Sequence, residues 1–306
     1  MKIAEVTEFG QPPKYVETKD PPVPASDSDL VQVKLLAAGV HVLVRLRAAG
    51  QHYTAQGLPH IPGTDAIGKT SDGQIVYYST VTPKGGSFQE LINLPKASLT
   101  PIPAGRDPIQ LAGSLNPATS GWMALTTRTF NLPKNFSVLV MGATSTSGAI
   151  AIPLARALGA GKVIGCARNA AKMADLDLDE MITLAEPASK TNFSKAEDVD
   201  VILDYIYGEP AVHLLNNLKP TSPVQYVQIG SLSATEVNLS AAVLRSKDLT
   251  LRGAGPGSWS MAQMREQMPK LLEALVNVKP SKFSVVKLED IESAWGRTRE
   301  RLVVVP

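Results

Sequence analysis

The stretch GATSTSG, residues 142–148, has the residue types and the setting of a phosphate-binding turn. It follows the apolar run SVLVM and precedes AIAIPLARALGA, so we expect a strand, a tight turn and a helix in succession. In the dinucleotide-binding pattern G-x-G-x-x-G, the main chain approaches the pyrophosphate and the helix N-terminus faces it. Here the three glycine positions hold Ala143, Ser145 and Gly148. Taken alone, the turn fits a dinucleotide site and a serine-rich helix cap about equally.

The remaining side chains of this turn add hydrogen-bond donors and capping groups, from Thr144, Thr146 and Ser147. Gly148 is expected to permit close contact between the helix and the strand. Pro153 counts against the helix, because a proline beyond the first turn removes a helical hydrogen bond.

The end of the next predicted strand, KVIGCAR (162–168), indicates which dinucleotide would bind. An acidic residue about 20 residues after the motif would accept a hydrogen bond from the ribose 2′-hydroxyl of NAD. This chain has Arg168 there, followed by Asn169 and, one helical turn later, Lys172. Because this cationic pair would attract a 2′-phosphate, we favour NADPH over NADH. The alternative is a solvated Arg–Lys pair at a helix start.

Composition and charge exclude several classes of function. The 306 residues carry a formal net charge of +2, which argues against a nucleic-acid surface. One cysteine, Cys166, excludes an intrachain disulfide and a cysteine-rich zinc site, and it fits a reducing compartment. The N-terminal MKIAEVTEFG is strand-like and charged, so we expect it not to be a signal peptide, and no apolar run reaches the ~18 residues of a membrane span. We expect a cytoplasmic protein without nucleic-acid or membrane partners.

The pattern of elements predicts an α/β protein of two domains. The first hundred residues contain short apolar runs separated by turn signals, which is typical of an irregular β domain. Residues 107–128 have helical spacing that we expect to break at Asn116-Pro117, and strands then alternate with helices, as in a parallel sheet. The last run, LVVVP (302–306), is a strand that could return to the first domain. We therefore assign 1–112 with 270–306 to one domain and 113–269 to the other.

These segments together resemble the medium-chain dehydrogenase/reductase superfamily over nearly the whole chain. The resemblance implies a Rossmann parallel-sheet domain that binds the cofactor, a mostly β, GroES-like catalytic domain, and a cleft between them. The matching segments are LLAAGVHVLVRLRAAGQHY (35–53), LPHIPGTDAIG (58–68), GGSFQEL (85–91), NPATSGWMAL (116–125), GATSTSGAIAIPLARALGAGKVIGCARN (142–169), VDVILDYIYG (199–208), VQIGS (227–231) and LTLRGAG (249–255).

At the superfamily's zinc positions, this chain resembles the zinc-free branch. The zinc enzymes have Cys and His-Glu where this chain has His41 and Thr64-Asp65, and their structural lobe of four cysteines is absent. We expect no metal site. The branch that the chain then resembles is the quinone oxidoreductase-like one, which includes enone and enoyl reductases. This implies NADPH-dependent hydride transfer to a quinone or to the β-carbon of an activated alkene.

The resemblance also implies roles for individual side chains. His41 stands where relatives have an Asn near the nicotinamide; it would donate to a substrate carbonyl or be a satisfied interdomain histidine. Tyr53 matches a cleft tyrosine whose phenol could donate to the same carbonyl. Asp65 is expected to be a turn residue and not a base. Further cofactor contacts are expected from Thr119, Tyr205, Gly230 and Ser231, with burial as the alternative for Tyr205. Pro256 and Trp259 are expected to line the substrate pocket, and Trp259 could equally be an interface residue.

Three functions stay open at this point. The first is a quinone or enone reductase, and the second is an NADPH-dependent carbonyl reductase with His41 or Tyr53 as the stronger acid. The third is a non-catalytic NADPH-binding sensor or partner protein, which would bind the cofactor without turnover. The strand LTLRGAG resembles one that relatives use for edge-to-edge pairing, so a homodimer is expected.

Overall fold

A computed structural model describes residues 1–55, 57–81 and 85–306 of the chain. Its strands and α-helices follow one another in this order: β1 (Lys2–Glu5), β2 (Lys14–Glu17), β3 (Leu30–Gly39), α1 (Val42–Ala48), β4 (Asp65–Thr70), β5 (Ile75–Ser79), β6 (Leu91–Pro95), β7 (Thr100–Pro101), α2 (Pro108–Thr127), β8 (Ser137–Met141), α3 (Thr146–Ala157), β9 (Lys162–Ala167), α4 (Ala170–Ala174), β10 (Glu180–Thr183), β11 (Val201–Asp204), α5 (Glu209–Asn217), β12 (Val224–Gln228), α6 (Ala241–Arg245), β13 (Leu249–Gly253), α7 (Met261–Ala274), β14 (Ser284–Lys287), α8 (Ile291–Ala294) and β15 (Leu302–Val305).

The chain divides into two compact units. Unit 1 contains Met1–Asn116 and Lys279–Pro306, and unit 2 contains Pro117–Val278. The division therefore falls inside α2, and the chain returns to unit 1 after α7. Each unit has a hydrophobic core of its own.

Unit 2 is built on a six-stranded sheet with the order β10-β9-β8-β11-β12-β13. All neighbouring strands are parallel. Numbered within the unit, this is the order 3-2-1-4-5-6 of dinucleotide-binding folds, in which the direction of winding reverses between strands 1 and 4. The central strands are apolar on both faces because helices cover both, and Val138–Met141 and Val201–Leu203 are fully buried. The reversal places the carboxyl ends of β8 and β11 side by side.

Unit 1 is mostly β, as the sequence predicts. Its larger sheet has the order β14-β15-β3-β4-β5-β7, and β6 also pairs with β3. The strands are antiparallel except for the parallel pair β14 and β15. The last strand does return to the first part of the chain, because Val303 and Val304 pair with Gly39 and Ala38 of β3. The predicted fold class, a parallel α/β unit with a mostly β unit, is confirmed.

Helix α2 corrects the predicted break at Asn116-Pro117. It runs without interruption from Pro108 to Thr127, with Pro117 inside it. An interior proline costs about 3 kcal/mol or more, because its ring removes one hydrogen bond and crowds the carbonyl four residues before. Burial of both halves opposes this cost, since Leu111, Leu115 and Ala118 are at most 3% exposed. Within the described parts of the chain, no helix combines the length and apolarity that a bilayer crossing needs.

The residues after Arg168, NAAKMADLDLDE (169–180), predict a helix, but the helix observed there is much shorter. It covers only Ala170–Ala174, and residues 175–179 are irregular. The reason lies in Asp177 and Asp179 of DLDLDE, whose carboxylates contact other parts of the chain. Asp179 accepts hydrogen bonds from the main-chain N–H of Val163 and from the guanidinium of Arg156, both at 2.7 Å. These bonds anchor the segment beside β9 instead of allowing another helical turn.

Candidate functional site

The turn GATSTSG lies at the carboxyl end of β8 and leads directly into α3. Gly142 has a φ of +88°, a left-handed conformation that a side chain would strain. Ser145 is the N-cap of α3, and its hydroxyl accepts a hydrogen bond from the Gly148 N–H at 3.1 Å. The main-chain N–H of Ser145 donates to the Gly142 carbonyl at 2.9 Å, which closes the turn. The sequence therefore forms the expected strand, turn and helix.

Gly148 allows the close approach that the sequence predicts. A Cβ at this position would lie 2.3 Å from the carbonyl oxygen of Gly142 and 2.9 Å from its carbonyl carbon. Both contacts are with main chain, so no side-chain rotation would relieve them. The first turn of α3 therefore sits directly on the turn that precedes it.

The residues of this turn fit a dinucleotide pyrophosphate. The first N–H groups of an α-helix have no carbonyl partner within the helix, and the helix dipole adds a partial positive charge. The hydroxyl side chains of Thr144, Thr146 and Ser147 are half-buried beside these groups, and Ala143 is fully buried beneath them. Main-chain donors and hydroxyls together form a donor set suited to phosphate oxygens.

Arg168 lies beside this turn, at the end of the neighbouring strand. The N–H groups of Gly142 and Ala143 donate to the Cys166 carbonyl at 2.8 and 3.1 Å, and Arg168 is two residues further along. Its side chain is exposed. Asn169 caps the short helix α4, since its side-chain oxygen accepts from the main-chain N–H of Lys172 at 2.9 Å. Arg168 and Lys172 thus present two exposed cations at the edge where a dinucleotide ribose would lie.

Three more predicted cofactor residues lie where β11 and β12 end. Tyr205 follows β11 and is buried, with its hydroxyl 3.5 Å from the Ser120 hydroxyl of α2. The residue before Ser120, Thr119, is also buried. Gly230 follows β12, and its N–H donates to the Asp204 carbonyl at 3.1 Å, while Ser231 is exposed. The structure therefore gathers the predicted cofactor residues of unit 2 around the carboxyl edge of its sheet.

Asp204 is a buried acid at this edge that the sequence analysis did not single out. One of its oxygens accepts from the N–H groups of Ile206 and Tyr207, at 2.7 and 3.0 Å, and the other accepts from the Tyr226 hydroxyl. Burial raises the pKa of Asp204, and these hydrogen bonds oppose the rise. The carboxyl shapes the turn after β11, where Tyr207 has a φ of +58°. The sequence signal that could have identified Asp204 is an aspartate at the end of an apolar strand.

The loop after β13 contains the two predicted pocket residues. Trp259 is half-buried and packs against the core of unit 2 that lies under α3 and β8. Arg128 fastens the loop, because its guanidinium donates to the carbonyls of Gly253 and Ser258, at 2.9 and 2.8 Å. Pro256 is half-buried between these anchors. The assignment of Pro256 and Trp259 to the substrate pocket stays a prediction.

In unit 1, His41 immediately precedes α1 and is nearly enclosed. Its side chain is 10% exposed, and Nε2 makes no hydrogen bond of ordinary geometry. Burial lowers the pKa of His41 to about 4, and the carbonyl of Ala112 opposes this effect as a hydrogen-bond acceptor. The imidazole is therefore neutral near pH 7. The Oδ1 atom of Asp65 lies 3.9 Å from Nε2.

Asp65 is not the turn residue that the sequence predicts, because it is the first residue of β4 and its side chain is 4% exposed. Thr64 donates its hydroxyl to Asp65 Oδ1 at 2.9 Å, and the side chains of Tyr77 and Asn116 also hydrogen-bond the carboxyl. Burial nevertheless raises the pKa of Asp65 to about 7, since desolvation outweighs these three bonds. The sequence offered only a weak signal, an acid between a Pro-Gly turn and an apolar strand.

Tyr53 lies in the turn after α1 and is 74% exposed. Its ring lies against that of His52, with the ring centroids 4.2 Å apart. The role of Tyr53 as a hydrogen-bond donor to substrate stays a prediction.

Across residues 1–55, 57–81 and 85–306, the structure shows no group of three or more His, Cys, Asp or Glu side chains that could hold a metal ion.

Comparison with known proteins agrees with this architecture. A probable NADPH-dependent quinone reductase of Emericella nidulans is 31% identical over 360 aligned positions, which cover 100% of both chains. The mitochondrial enoyl-[acyl-carrier-protein] reductase of Rattus norvegicus is 25% identical over 289 positions, covering 88% of this chain and 76% of that protein. The quinone oxidoreductase of Thermus thermophilus, solved also with NADPH, superposes with a TM-score of 0.76 at 23% identity, over 100% of both chains.

No family model matches the chain. The 31% identity to the Emericella protein over the full length of both chains, together with the shared fold, confirms the family that the motifs indicated. The chain belongs to the medium-chain dehydrogenase/reductase superfamily, in its quinone oxidoreductase-like branch.

Proposed function

We propose that this protein is an NADPH-dependent reductase that transfers hydride to a quinone or to the activated C=C bond of an α,β-unsaturated carbonyl compound. One observation carries the proposal: the turn GATSTSG and Arg168 lie on adjacent strands at the carboxyl edge of a parallel sheet with dinucleotide-binding order. Two of the relatives support the same reaction, since the Emericella protein is named a probable quinone reductase and the Rattus protein an enoyl reductase.

The residues of unit 2 fit NADPH. The N-terminus of α3 and the hydroxyls of Thr144, Thr146 and Ser147 would hold the pyrophosphate. Arg168 and Lys172 would hold the 2′-phosphate, because a guanidinium and an ammonium favour a dianion over a neutral hydroxyl. Tyr205, Gly230 and Thr119 would contact the nicotinamide half. NADPH, when bound, supplies the hydride, and the protein orients it and excludes water.

The second half of the reaction needs a proton and a hydrogen-bond donor. Hydride addition leaves negative charge on the substrate oxygen, and donors aimed at that oxygen stabilise it. The candidates are His41, whose imidazole is neutral near pH 7, and Tyr53. Neither needs a metal ion, and we propose a zinc-independent reaction in which these side chains replace a Lewis acid.

We also infer a cytoplasmic homodimer. Strand β13 is the last strand on one side of the sheet of unit 2, so its outer edge is available for pairing with a second copy. The single cysteine, Cys166, is buried and unpaired, as expected of a protein from a reducing compartment. Light scattering of the purified protein would test the dimer, and a monomeric mass would contradict it.

The deciding experiment is steady-state oxidation of NADPH, beside NADH, with one quinone, several enones and the matching saturated ketones, and with identification of the products. Turnover of quinone or enone with preference for NADPH is the expected result. Turnover of the saturated ketones alone would contradict the proposal in favour of carbonyl reduction. Tight NADPH binding without turnover of any acceptor would contradict it in favour of a sensor or partner protein.

A further inference from the structure

The segment 205–207, which follows β11 in unit 2, lies between the turn GATSTSG and the end of β12. On one side, a Cβ at Gly142 would lie 3.3 Å from Tyr205 Cβ and 3.4 Å from Ile206 Cγ1, so both side chains pack against the turn. On the other side, a Cβ at Gly230 would lie 2.8 Å from the carbonyl oxygen of Tyr205. The segment therefore contacts both parts of unit 2 to which we assign the pyrophosphate and the nicotinamide half.

One buried carboxyl group holds the main chain of this segment. Asp204 is the last residue of β11 and is fully buried. Its Oδ1 atom accepts hydrogen bonds from the main-chain N–H groups of Ile206 and Tyr207, at 2.7 and 3.0 Å. Tyr207 has a φ of +58°, in the left-handed region that residues with a side chain seldom adopt. The two bonds to Oδ1 therefore stabilise a turn that the main chain alone disfavours.

Asp204 also connects this segment to β12 and to the loop that follows it. Its Oδ2 atom accepts from the hydroxyl of Tyr226, which belongs to β12. Its main-chain carbonyl accepts from the N–H of Gly230 at 3.1 Å, and the carbonyl of Ile206 accepts from the N–H of Ser233 at 2.8 Å. The loops after β11 and β12 are thus fixed to each other, with Asp204 at the point where they meet.

The stability of the strand does not explain this carboxyl group. Burial of a carboxyl opposes folding, because hydrogen bonds from two N–H groups and one hydroxyl replace only part of its hydration. The other residues of β11, Val201–Leu203, are apolar and carry no such cost. What Asp204 adds to the strand is the shape of the segment that follows it.

We propose that Asp204 is a positioning residue for NADPH, because its carboxyl oxygens set the segment 205–207 against the turn GATSTSG and thereby fix the place of the nicotinamide half. The inference rests on the proposed function, which takes NADPH as the cofactor. Asp204 acts through its neighbours and does not touch the cofactor, since its side chain is fully buried and both of its oxygens are bonded to the protein.

The test compares two variants of Asp204 with a matched control. Asp204→Ala removes the acceptor for all three donors, whereas Asp204→Asn keeps one carbonyl oxygen that can accept from the two N–H groups. Asp200→Ala is the control, because Asp200 lies at the opposite end of the same strand. Its carboxylate accepts from the main-chain N–H and the hydroxyl of Ser137 in β8, at 2.7 and 2.8 Å. Both alanine variants therefore lose bonds of the same kind.

The first readout is the affinity for NADPH and for NADH, measured by cofactor fluorescence below the melting temperature of every variant. Asp204→Ala should weaken both cofactors by the same factor, roughly tenfold or more, because both carry the nicotinamide half. Asp204→Asn should restore affinity to within about threefold of the wild type. Asp200→Ala should lower the melting temperature and leave the affinity unchanged. Equal affinity in Asp204→Ala and Asp200→Ala would overturn the inference.

Tyr226→Phe carries the same test if Asp204→Ala does not fold. It removes only the hydroxyl that bonds Oδ2 and keeps the two bonds to Oδ1. We expect an affinity for NADPH that is about threefold weaker than in the wild type, because the carboxyl has lost one of its anchors. An unchanged affinity in Tyr226→Phe would overturn the positioning role.

The second readout is the affinity for adenosine 2′,5′-bisphosphate, which carries the 2′-phosphate of NADPH but no nicotinamide. Asp204→Ala should change this affinity by less than about threefold, because Arg168 follows β9, on the opposite side of β8 from β11. Equal losses for NADPH and for this fragment would overturn the inference, since they would show a general disturbance of the sheet edge.

The proposed function and the positioning role fail separately in these measurements. Wild-type protein that binds NADPH but reduces no acceptor would overturn the proposed reaction. Affinities for NADPH that are equal in the wild type and in Asp204→Ala would overturn the positioning role alone. Wild-type protein that does not bind NADPH would overturn both.

Discussion

At the scale of single residues, Arg168 is the side chain that we propose decides between the two nicotinamide cofactors. It occupies the place where an acid would bind the ribose of NAD, and its side chain is exposed beside the turn 142–148. A hydrogen bond to a charged group contributes about 1.5–3 kcal/mol when the rest of the site is unchanged. The preference for NADPH should therefore reside largely in this one guanidinium and in Lys172.

Removal of the guanidinium tests this expectation. Arg168→Ala should raise KM for NADPH roughly 10- to 100-fold and leave KM for NADH nearly unchanged, because only NADPH carries the ribose 2′-phosphate. Lys162→Ala is the control, since Lys162 is an exposed cation at the opposite end of the same strand. Equal losses for both cofactors in Arg168→Ala would contradict the phosphate-binding role.

At the scale of elements, the junction of β8 and α3 needs a residue without a side chain at position 148. The helix begins directly on the turn, and the Gly142 carbonyl occupies the space that a Cβ would need. Ser145 can replace the usual second glycine because its hydroxyl caps the helix. The donor groups of the turn therefore depend on how closely the helix approaches the strand.

A single methyl group should disturb this junction. Gly148→Ala should force the main chain of the turn to move and should weaken NADPH binding at least about tenfold, since a shift of this size misplaces several charge-assisted donors. Binding is measured by titration of cofactor fluorescence. Gly253→Ala in β13 is the control, because a Cβ there meets nothing within 4 Å. Equal affinity in Gly148→Ala and the wild type would show that the turn does not hold the pyrophosphate.

At the scale of the whole molecule, unit 1 is completed by the last residues of the chain. Strand β15 lies between β14 and β3, and Leu302, Val303 and Val304 are at most 2% exposed. The N-terminal strands of unit 1 thus depend on a segment that follows them after all of unit 2. Such non-local pairing costs loop-closure entropy, and buried apolar contacts must offset it.

Shortening one side chain of this strand should lower the stability of the protein. Val304→Ala removes buried methyl groups from the core of unit 1 and should cost about 2 kcal/mol, seen as a lower melting temperature. Val285→Ala in the adjacent strand β14 is the control, because Val285 is 49% exposed and should change stability by less than about 0.5 kcal/mol. Equal effects of the two changes would contradict the closing role of β15.

What the sequence determined by itself is local. Four features follow from residue types at short spacings. They are the alternation of apolar strands with helices, the turn 142–148, Arg168 after the second strand of the parallel sheet, and the absence of a zinc-binding pattern from the sequence. These features identify the superfamily, because each depends on neighbours within about 30 residues. The roles of Tyr53, Thr119, Pro256 and Trp259 remain predictions, since one sequence does not show what surrounds a side chain.

Only the tertiary structure decided the rest. Helix α2 continues past Pro117 because the burial of its residues on both sides of the proline outweighs one lost hydrogen bond. The tertiary structure ended α4 at Ala174, because donors from other parts of the chain bond the carboxylate of Asp179. It also enclosed Asp65 with Tyr77, Asn116 and His41, residues that lie up to 75 positions apart. A pKa depends on the groups that surround it in space, and spacing along the chain does not reveal them.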